Sequence, residues 1–361
     1  MNNTQMNIDK AQNTASFTTA EMPRKRGKRI RIKPNKEGML ALLALILITA
    51  IIITACVFAI KGIIMVVNKN NDETTTNDPN NGQNTLPWNS AYTTTPWSSA
   101  NVIKGELLLV NSQNVYSLAD ALKERGSTDL YGYEGHGTYY VLPGTGIKVN
   151  NIALPYLKQM LFDMVDANPN TLGTANGQDK LYIESAYRDF ATQEDKNTSN
   201  PTRYPELAGY SEHHTGLAFD LKVQSNGAYI SMRDAEYQWL EANCAKYGFV
   251  FRYADNKVSL TGMNEPSHLR YVGVAHATYM VENDLCLEEY LELLRNSHKY
   301  EQTPLEITAN EKEYLVYYVA ANTAEGENFT AIPVPPASEG TYSISGDNMN
   351  GFIVTVEKAA N

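Results

Sequence analysis

The longest apolar run is residues 39–60, MLALLALILITAIIITACVFAI, with no charge and no proline. About 20 such residues cross a bilayer as a helix. The run is apolar on every side, unlike a surface helix of a soluble protein. It is too long for the core of a cleavable signal peptide. No small-residue cleavage site follows either, because Lys61 and Gly62 lead into another apolar stretch, IIMVV. Residues 39–66 therefore read as a transmembrane helix. Residues 1–38 are polar, basic and aperiodic, and read as a tail. Residues 67–101, rich in Asn, Thr, Ser and Pro, read as a disordered tether. Trp88 and Trp97 stand out within it, with the membrane interface or the folded domain as alternative resting places.

Folded patterning begins near Val102. GELLLVN (105–111) reads as a strand, and SLADALKERG (117–126) as a short helix capped by Ser117 and stopped at Gly126. Within 149–168, Leu157, Met160, Leu161, Met164 and Val165 recur at helical spacing, so that stripe is predicted core. LYIESAY (181–187) reads as a strand. Residues 231–248 read as an amphipathic helix ending at Gly248 and leading into the strand GFVFRY, and a last helix covers about 274–296. After His298 the pattern changes to short alternating segments: LEITA, YLVYYVAA, FTAIPVPP, TYSIS and GFIVTVEK. With Gly-Asp and Asn-Gly turns between them, residues 300–361 are predicted to form a small β accessory module. No internal repeat is evident.

Charge sets the orientation. Arg24, Lys25, Arg26, Lys28, Arg29, Arg31, Lys33 and Lys36 precede the apolar run; Lys61 and Lys69 follow it, and then Asp72 and Glu73. The positive-inside bias places the N-terminus in the cytoplasm and everything after about residue 65 outside. Beside a span, the basic run suits lipid headgroups better than nucleic acid. The chain holds 30 Lys+Arg and 40 Asp+Glu; residues 1–100 carry 11 and 6 of them, leaving a net charge of −15 on residues 101–361. That excess argues against a nucleic-acid partner. The 43% hydrophobic content supports a sizeable core. Of three cysteines, Cys56 lies in the span, while Cys244 and Cys286 lie in amphipathic stretches. The latter two suit buried free thiols better than a disulfide, and they lack metal-ligand spacing.

The chemistry concentrates in SEHHTGLAFD (211–220), with His213 and Asp220, and in EPSHLRYVG (265–273), with Glu265 and His268. Two imidazoles and one carboxylate can hold zinc with a fourth position open. A nearby glutamate that is not a ligand can then move protons. Spacing alone does not establish this. There is no HExxH helix, and the default reading of His213 and Asp220 is a chance pair in a surface loop. His214, next to His213, points the other way on an extended chain and reads as a support or as exposed. His276 reads as structural and His136 as a loop residue. No Walker loop, nucleotide fingerprint or Gly-x-Ser-x-Gly elbow is present.

These segments carry a resemblance. Ser211, His213, Gly216, Ala218 and Asp220 match Ser-x-His-x-x-Gly-x-Ala-x-Asp, and Glu265 with His268 matches Glu-x-x-His. SAYRDFATQ (185–193) matches a Ser-x-Tyr-Arg segment with Gln193 five residues after Arg188. In these blocks, taken in order, the chain resembles the VanY-type D-alanyl-D-alanine carboxypeptidases. Those enzymes are grouped with the lysostaphin-like enzymes and the hedgehog signalling domain. The resemblance covers about residues 102–295. It implies an α+β fold in which a small antiparallel sheet with flanking helices forms a zinc carboxypeptidase domain over residues 102–299.

It also implies roles. His213, Asp220 and His268 would bind one zinc ion per chain, with Glu265 as general base and then acid. Arg188 would stabilise the oxyanion or hold substrate. Gln193 and Ser211 would bind the terminal carboxylate or last residue of a peptide. The implied reaction is removal of the terminal D-Ala from peptidoglycan stem peptides outside the membrane. Two alternatives stay open: an L,D-carboxypeptidase acting on tetrapeptide stems, and a non-catalytic wall-binding or sensing module that kept the fold. The chain departs from the family at Ser267, where a Trp is usual. A serine there is expected to open or wet the pocket.

Overall fold

The computed structural model describes residues 88–359 apart from 118–121, 124–125, 174, 176–177, 232–237 and 326. The predicted basic tail, the span at 39–60 and most of the tether lie outside the described residues, as does most of the helix expected over 117–126. Among the described residues no helix is long and apolar enough to cross a membrane.

Among the described residues the central sheet has six strands: Tyr140–Val141 (β3), Lys180–Ser185 (β5), Ala218–Ser225 (β6), Ala228–Ser231 (β7), Phe249–Tyr253 (β8) and Glu265–Tyr271 (β9). Their order is β3-β5-β6-β9-β8, with β7 paired to the far end of β6. All pairs are antiparallel except β3 with β5, so the sheet is mixed rather than wholly antiparallel. A small separate ribbon pairs Ser127–Asp129 (β2) with Lys148–Asn150 (β4).

Strand alternation decides what faces the core. In β6, Phe219, Leu221 and Val223 are buried against helix α1 (Leu154–Ala167), which meets them with the predicted stripe of Leu157, Met160, Leu161, Met164 and Val165. The opposite face of β6 carries Asp220 and Lys222 into a cavity. Helix α2 (Phe190–Ser199) is capped by Asp189, which accepts from Thr192 N at 2.7 Å, and buries Gln193.

Several expected elements differ. Residues 105–111 form no strand. Leu107–Val110 are buried, and their backbone bonds to groups scattered along the chain: Leu107 N to Ser345 Oγ, Leu109 N to Asp347 O, and Leu108 O to Arg270 Nη2. The apolar run signalled burial, which a strand and a buried irregular segment share. The helix expected over 231–248 is helical only from Gln238 to Asn243 (α3) among the described residues, then tightens to a 3₁₀ turn, Cys244–Tyr247. It stops at Gly248 as expected, with φ 81°. A short helix, Val258–Thr261 (α4), precedes β9. The last helix divides into Val274–Glu282 (α5) and Leu287–Ser297 (α6). The break falls where Asp284 turns left-handed (φ 49°) and Glu289 closes a capping box by accepting from Cys286 N at 2.9 Å. Cys244 and Cys286 are both buried thiols rather than a disulfide.

The C-terminal strands Leu305–Ala309 (β10), Lys312–Ala320 (β11), Gly340–Gly346 (β13) and Gly351–Lys358 (β14) form an antiparallel sheet ordered β10-β11-β14-β13. It is not a detached module. Leu305, Val316 and Ile353 share one core with Leu107, Val272, Met280, Tyr290 and Leu294, and the described residues belong to one compact unit. Part of the segment 67–101, expected to be a tether, is folded. Thr93–Ser98 (β1) pairs antiparallel with Phe329–Val334 (β12), from Thr93 opposite Val334 to Ser98 opposite Phe329. Trp88 packs against Tyr92, Tyr300 and Tyr317 with ring centroids 5.3–5.7 Å apart, and its Nε1 donates to Gln302 O at 2.9 Å. The linker-like composition hid this strand because its partner lies more than 200 residues away.

Candidate metal centre and active site

The site forms where β6 and β9 run side by side. Asp220 sits directly opposite His268 in that ladder, so their side chains emerge on one face. His213 comes from the 3₁₀ turn Glu212–Thr215, which ends at Gly216 with φ 68°. A Cβ at Gly216 would lie 2.8 Å from Leu122 Cδ2 and 3.2 Å from Asn150, so the position excludes side chains twice over. Gly216→Ala should lower stability by about 1–3 kcal/mol, read by thermal unfolding of the metal-free protein.

One atom each of His213, Asp220 and His268 lie within 4.8 Å of one another, the grouping the resemblance implies. Their hydrogen bonds settle which atoms these are. His213 Nδ1 faces Ala186 O at 2.6 Å; donating there leaves Nε2 free, 3.2 Å from Asp220 Oδ2. His268 Nε2 faces Glu212 Oε2 at 3.3 Å; donating there leaves Nδ1 free, 3.1 Å from Asp220 Oδ1. Each ring is thus fixed by a carbonyl or carboxylate behind it, the usual support of a metal-binding imidazole.

The electrostatics favour a cation. Burial, helped by the charge of Arg188, pushes His213 down to about 4, so it stays neutral. Burial also opposes a charge on His268, but Asp220 and Glu212 outweigh it and raise His268 to about 9. Burial raises Asp220, yet His213 and His268 hold it well below the usual carboxylate range. Without a metal, the site therefore holds a proton on His268 between two carboxylates. A divalent ion could take the place of that positive charge, and the donor set fits one.

A cavity of about 230 Å³ opens over these groups, lined among others by Arg188, Tyr204, Glu265 and Ser267. Strict alternation would send Glu265 and Ser267 away from His268. The β8–β9 register instead jumps from Phe251–Leu269 to Tyr253–Glu265, adding two residues to β9. That irregularity turns the strand so that all three line one cavity. Ser267, where a Trp was expected, is itself covered. It is 3% exposed, and its Oγ donates to Glu265 Oε1 at 2.6 Å.

Arg188 is buried with Nε and Nη1 unpartnered, its guanidinium 5.5 Å from the Tyr204 ring. His214 is also buried rather than exposed. It accepts from Gly209 N at 2.9 Å, so its Nδ1 donates to Arg188 O at 2.8 Å and anchors the arginine's backbone. Gln193 and Ser211 are fully buried and do not line the cavity; Gln193 Oε1 and Ser211 Oγ lack partners. His276 is structural, bonded to Tyr290 Oη and Thr355 Oγ1. His136 lies in a loop, where its Nδ1 accepts from Gly132 N.

Sequence reasoning missed Glu212. It is buried beneath His268 and paired with Arg252 Nε at 2.8 Å and Arg270 Nη1 at 3.0 Å. Burial would raise its carboxyl, but Arg252, Arg270 and His268 reverse that and hold it below the usual range. The available signal was an arginine flanked by apolar and aromatic residues in each of the segments FVFRY and HLRY, since a buried arginine needs an acid partner.

The VanY family model, described as D-alanyl-D-alanine carboxypeptidase, matches residues 158–274. A D-alanyl-D-alanine carboxypeptidase of Enterococcus faecium is 33% identical over 259 residues, covering 71% of this chain and 76% of that protein. Another protein of that description, from Enterococcus faecalis, is 45% identical over 86 residues, covering 24% of this chain and 31% of that one. Among solved structures, the vancomycin-resistance D,D-dipeptidase VanXYg, in complex with a D-Ala-D-Ala phosphinate analog, aligns with a TM-score of 0.57 and 25% identity. That alignment covers 74% of this chain and 99% of the dipeptidase. The peptidase fold is shared, and the match to the E. faecium enzyme extends well beyond the site motifs: the chain belongs to the VanY family of D-alanyl-D-alanine carboxypeptidases.

Proposed function

We propose that this protein is a zinc D,D-carboxypeptidase that removes the terminal D-Ala from peptidoglycan stem peptides. In this reading residues 39–60 anchor it in the membrane and the catalytic unit lies outside. The observation that carries it is the convergence of His213 Nε2, Asp220 and His268 Nδ1 in a cavity that also presents Glu265. Two imidazoles and one carboxylate suit zinc among the divalent ions. When bound, zinc would polarise the scissile carbonyl and lower the pKa of water.

The chain's own residues supply the rest. Glu265 takes a proton from the attacking water as the C–O bond forms. It then delivers that proton to the nitrogen of the departing D-alanine as the C–N bond breaks. Ser267 holds one Glu265 oxygen by its hydroxyl and so limits the carboxylate's rotation. Arg188 brings a fixed, unpaired guanidinium fork into the cavity, suited to an oxyanion or a terminal carboxylate.

The test uses the full chain with zinc and defined stem peptides. Release of one D-Ala from the pentapeptide, with the tetrapeptide untouched, is the expected result. D-Ala release from the tetrapeptide alone would replace this reading with an L,D-carboxypeptidase. Binding of stems without any release would replace it with a wall-binding module. For the topology, an impermeant reagent applied to intact cells should label a single cysteine placed at exposed Tyr342.

A further inference from the structure

A line of buried charge leads away from the metal centre. Glu212 Oε2 meets His268 Nε2 at 3.3 Å, and Glu212 Oε1 accepts from Arg252 Nε at 2.8 Å. Arg252 spends its other two nitrogens on Glu288, Nη1 to Oε2 at 2.9 Å and Nη2 to Oε1 at 2.7 Å, a two-pronged clasp. Arg270 braces Glu212 from the side at 3.0 Å and donates to the carbonyls of Glu106 and Leu108 at 3.0 Å. Arg252 and Arg270 are 2% and 0% exposed and Glu212 is 1% exposed. Glu288, whose side chain is 17% exposed, opens helix α6. That helix lies beyond the family match at 158–274 and packs into the core shared with the C-terminal sheet.

Stability alone does not account for such a cluster. Apolar residues of similar volume commonly replace buried ion pairs at no loss or with a gain, whereas buried charge suits fixing a geometry. The geometry fixed here is that of one ring. Glu212 accepts a hydrogen bond from Nε2–H of His268, so Nδ1, beside Asp220, is the nitrogen left for a metal. Glu212 cannot swing away, because Arg252 and Arg270 hold it, and Arg252 is itself held by Glu288.

We infer that Glu288, Arg252 and Glu212 form a positioning relay that sets the tautomer and orientation of His268. Metal affinity thereby depends on a helix outside the segment that matches the family. The inference rests on the metal reading of His213, Asp220 and His268. It also gives the C-terminal region a role: that region backs the helix carrying the last link.

The experiment measures zinc affinity of the full-length protein by competition with a chromophoric chelator, alongside the unfolding temperature of the metal-free form. Glu212→Gln should weaken zinc binding by about 10–100-fold, as loss of a direct outer partner does, and Glu288→Gln by on the order of 10-fold. Glu289→Gln, on the same helix turn but paired with Lys257, should bind zinc as the wild type does. Should Glu212→Gln fail to fold, Glu288→Gln decides, because its amide still accepts from Arg252. Wild-type affinity in a folded Glu288→Gln protein would overturn the relay. An equal loss in Glu289→Gln would also overturn it, reducing the effect to helix stability. Absence of zinc binding in the wild type would instead overturn the metal reading itself.

Discussion

Glu265→Gln lowers kcat on a D-Ala-D-Ala stem peptide by about 10²–10⁴-fold with bound zinc unchanged. The expectation follows from where Glu265 sits. It lines the cavity with His213, Asp220 and His268, yet it stands outside the group whose donor atoms converge within 4.8 Å. Its loss should spare metal binding. Glutamine keeps the size and the acceptor that Ser267 uses, so the change isolates proton transfer from packing. Activity is read as D-Ala released, and metal by elemental analysis of the same sample. A variant with full zinc and undiminished turnover would remove Glu265 from the mechanism. A variant that loses both would mean that Glu265 helps to hold the ion.

The second large effect is expected at Arg188. Arg188→Lys should cost about 10²–10³-fold in kcat/KM, the scale of removing one preorganised donor from a developing negative charge. Lysine keeps the charge but loses the planar fork, and here the fork matters because Nε and Nη1 are both buried and unpartnered. Leaving two such donors without acceptors costs stability unless something else uses them. The position is also well secured: Arg188 N donates to His213 O at 3.1 Å and Arg188 O accepts from His214. The backbone around residue 188 should therefore keep its place in the variant. Steady-state kinetics on a single stem peptide separates the roles. A rise in KM alone would assign Arg188 to ground-state binding of the terminal carboxylate. A fall in kcat would assign it to the oxyanion.

What could be read in the sequence divides along a physical line. Features set by neighbours in the chain were legible. The stripe from Leu157 to Val165 forms one helix face, and Gly248 stops its helix with a left-handed turn. The candidate ligand residues were legible as well, but only through a family resemblance, because nothing local brings His213 to His268. That meeting depends on β6 and β9 pairing across 48 residues. Features set by distant partners were not legible. Leu107–Val110 are as apolar as a strand yet take their backbone partners from side chains and loops. Thr93–Ser98 have a linker's composition yet pair with β12. Glu212 was overlooked beside His213 because its meaning lies in Arg252, 40 residues further on. The turn of Glu265 and Ser267 into the pocket depends on a register jump that no alternation rule contains.

Docking of Trp88 among three tyrosines has a consequence for reach. For a chain anchored as proposed, the folded unit already includes Trp88 rather than starting near residue 102. Counted from residue 67, about 21 residues span at most roughly 70 Å when fully extended, against roughly 115 Å for the 35 residues first assigned. The enzyme would then patrol a shell close to the membrane. Its working distance would be set by where an aromatic cluster grips the chain, so loosening that grip with Trp88→Ala would lengthen it without touching the active site.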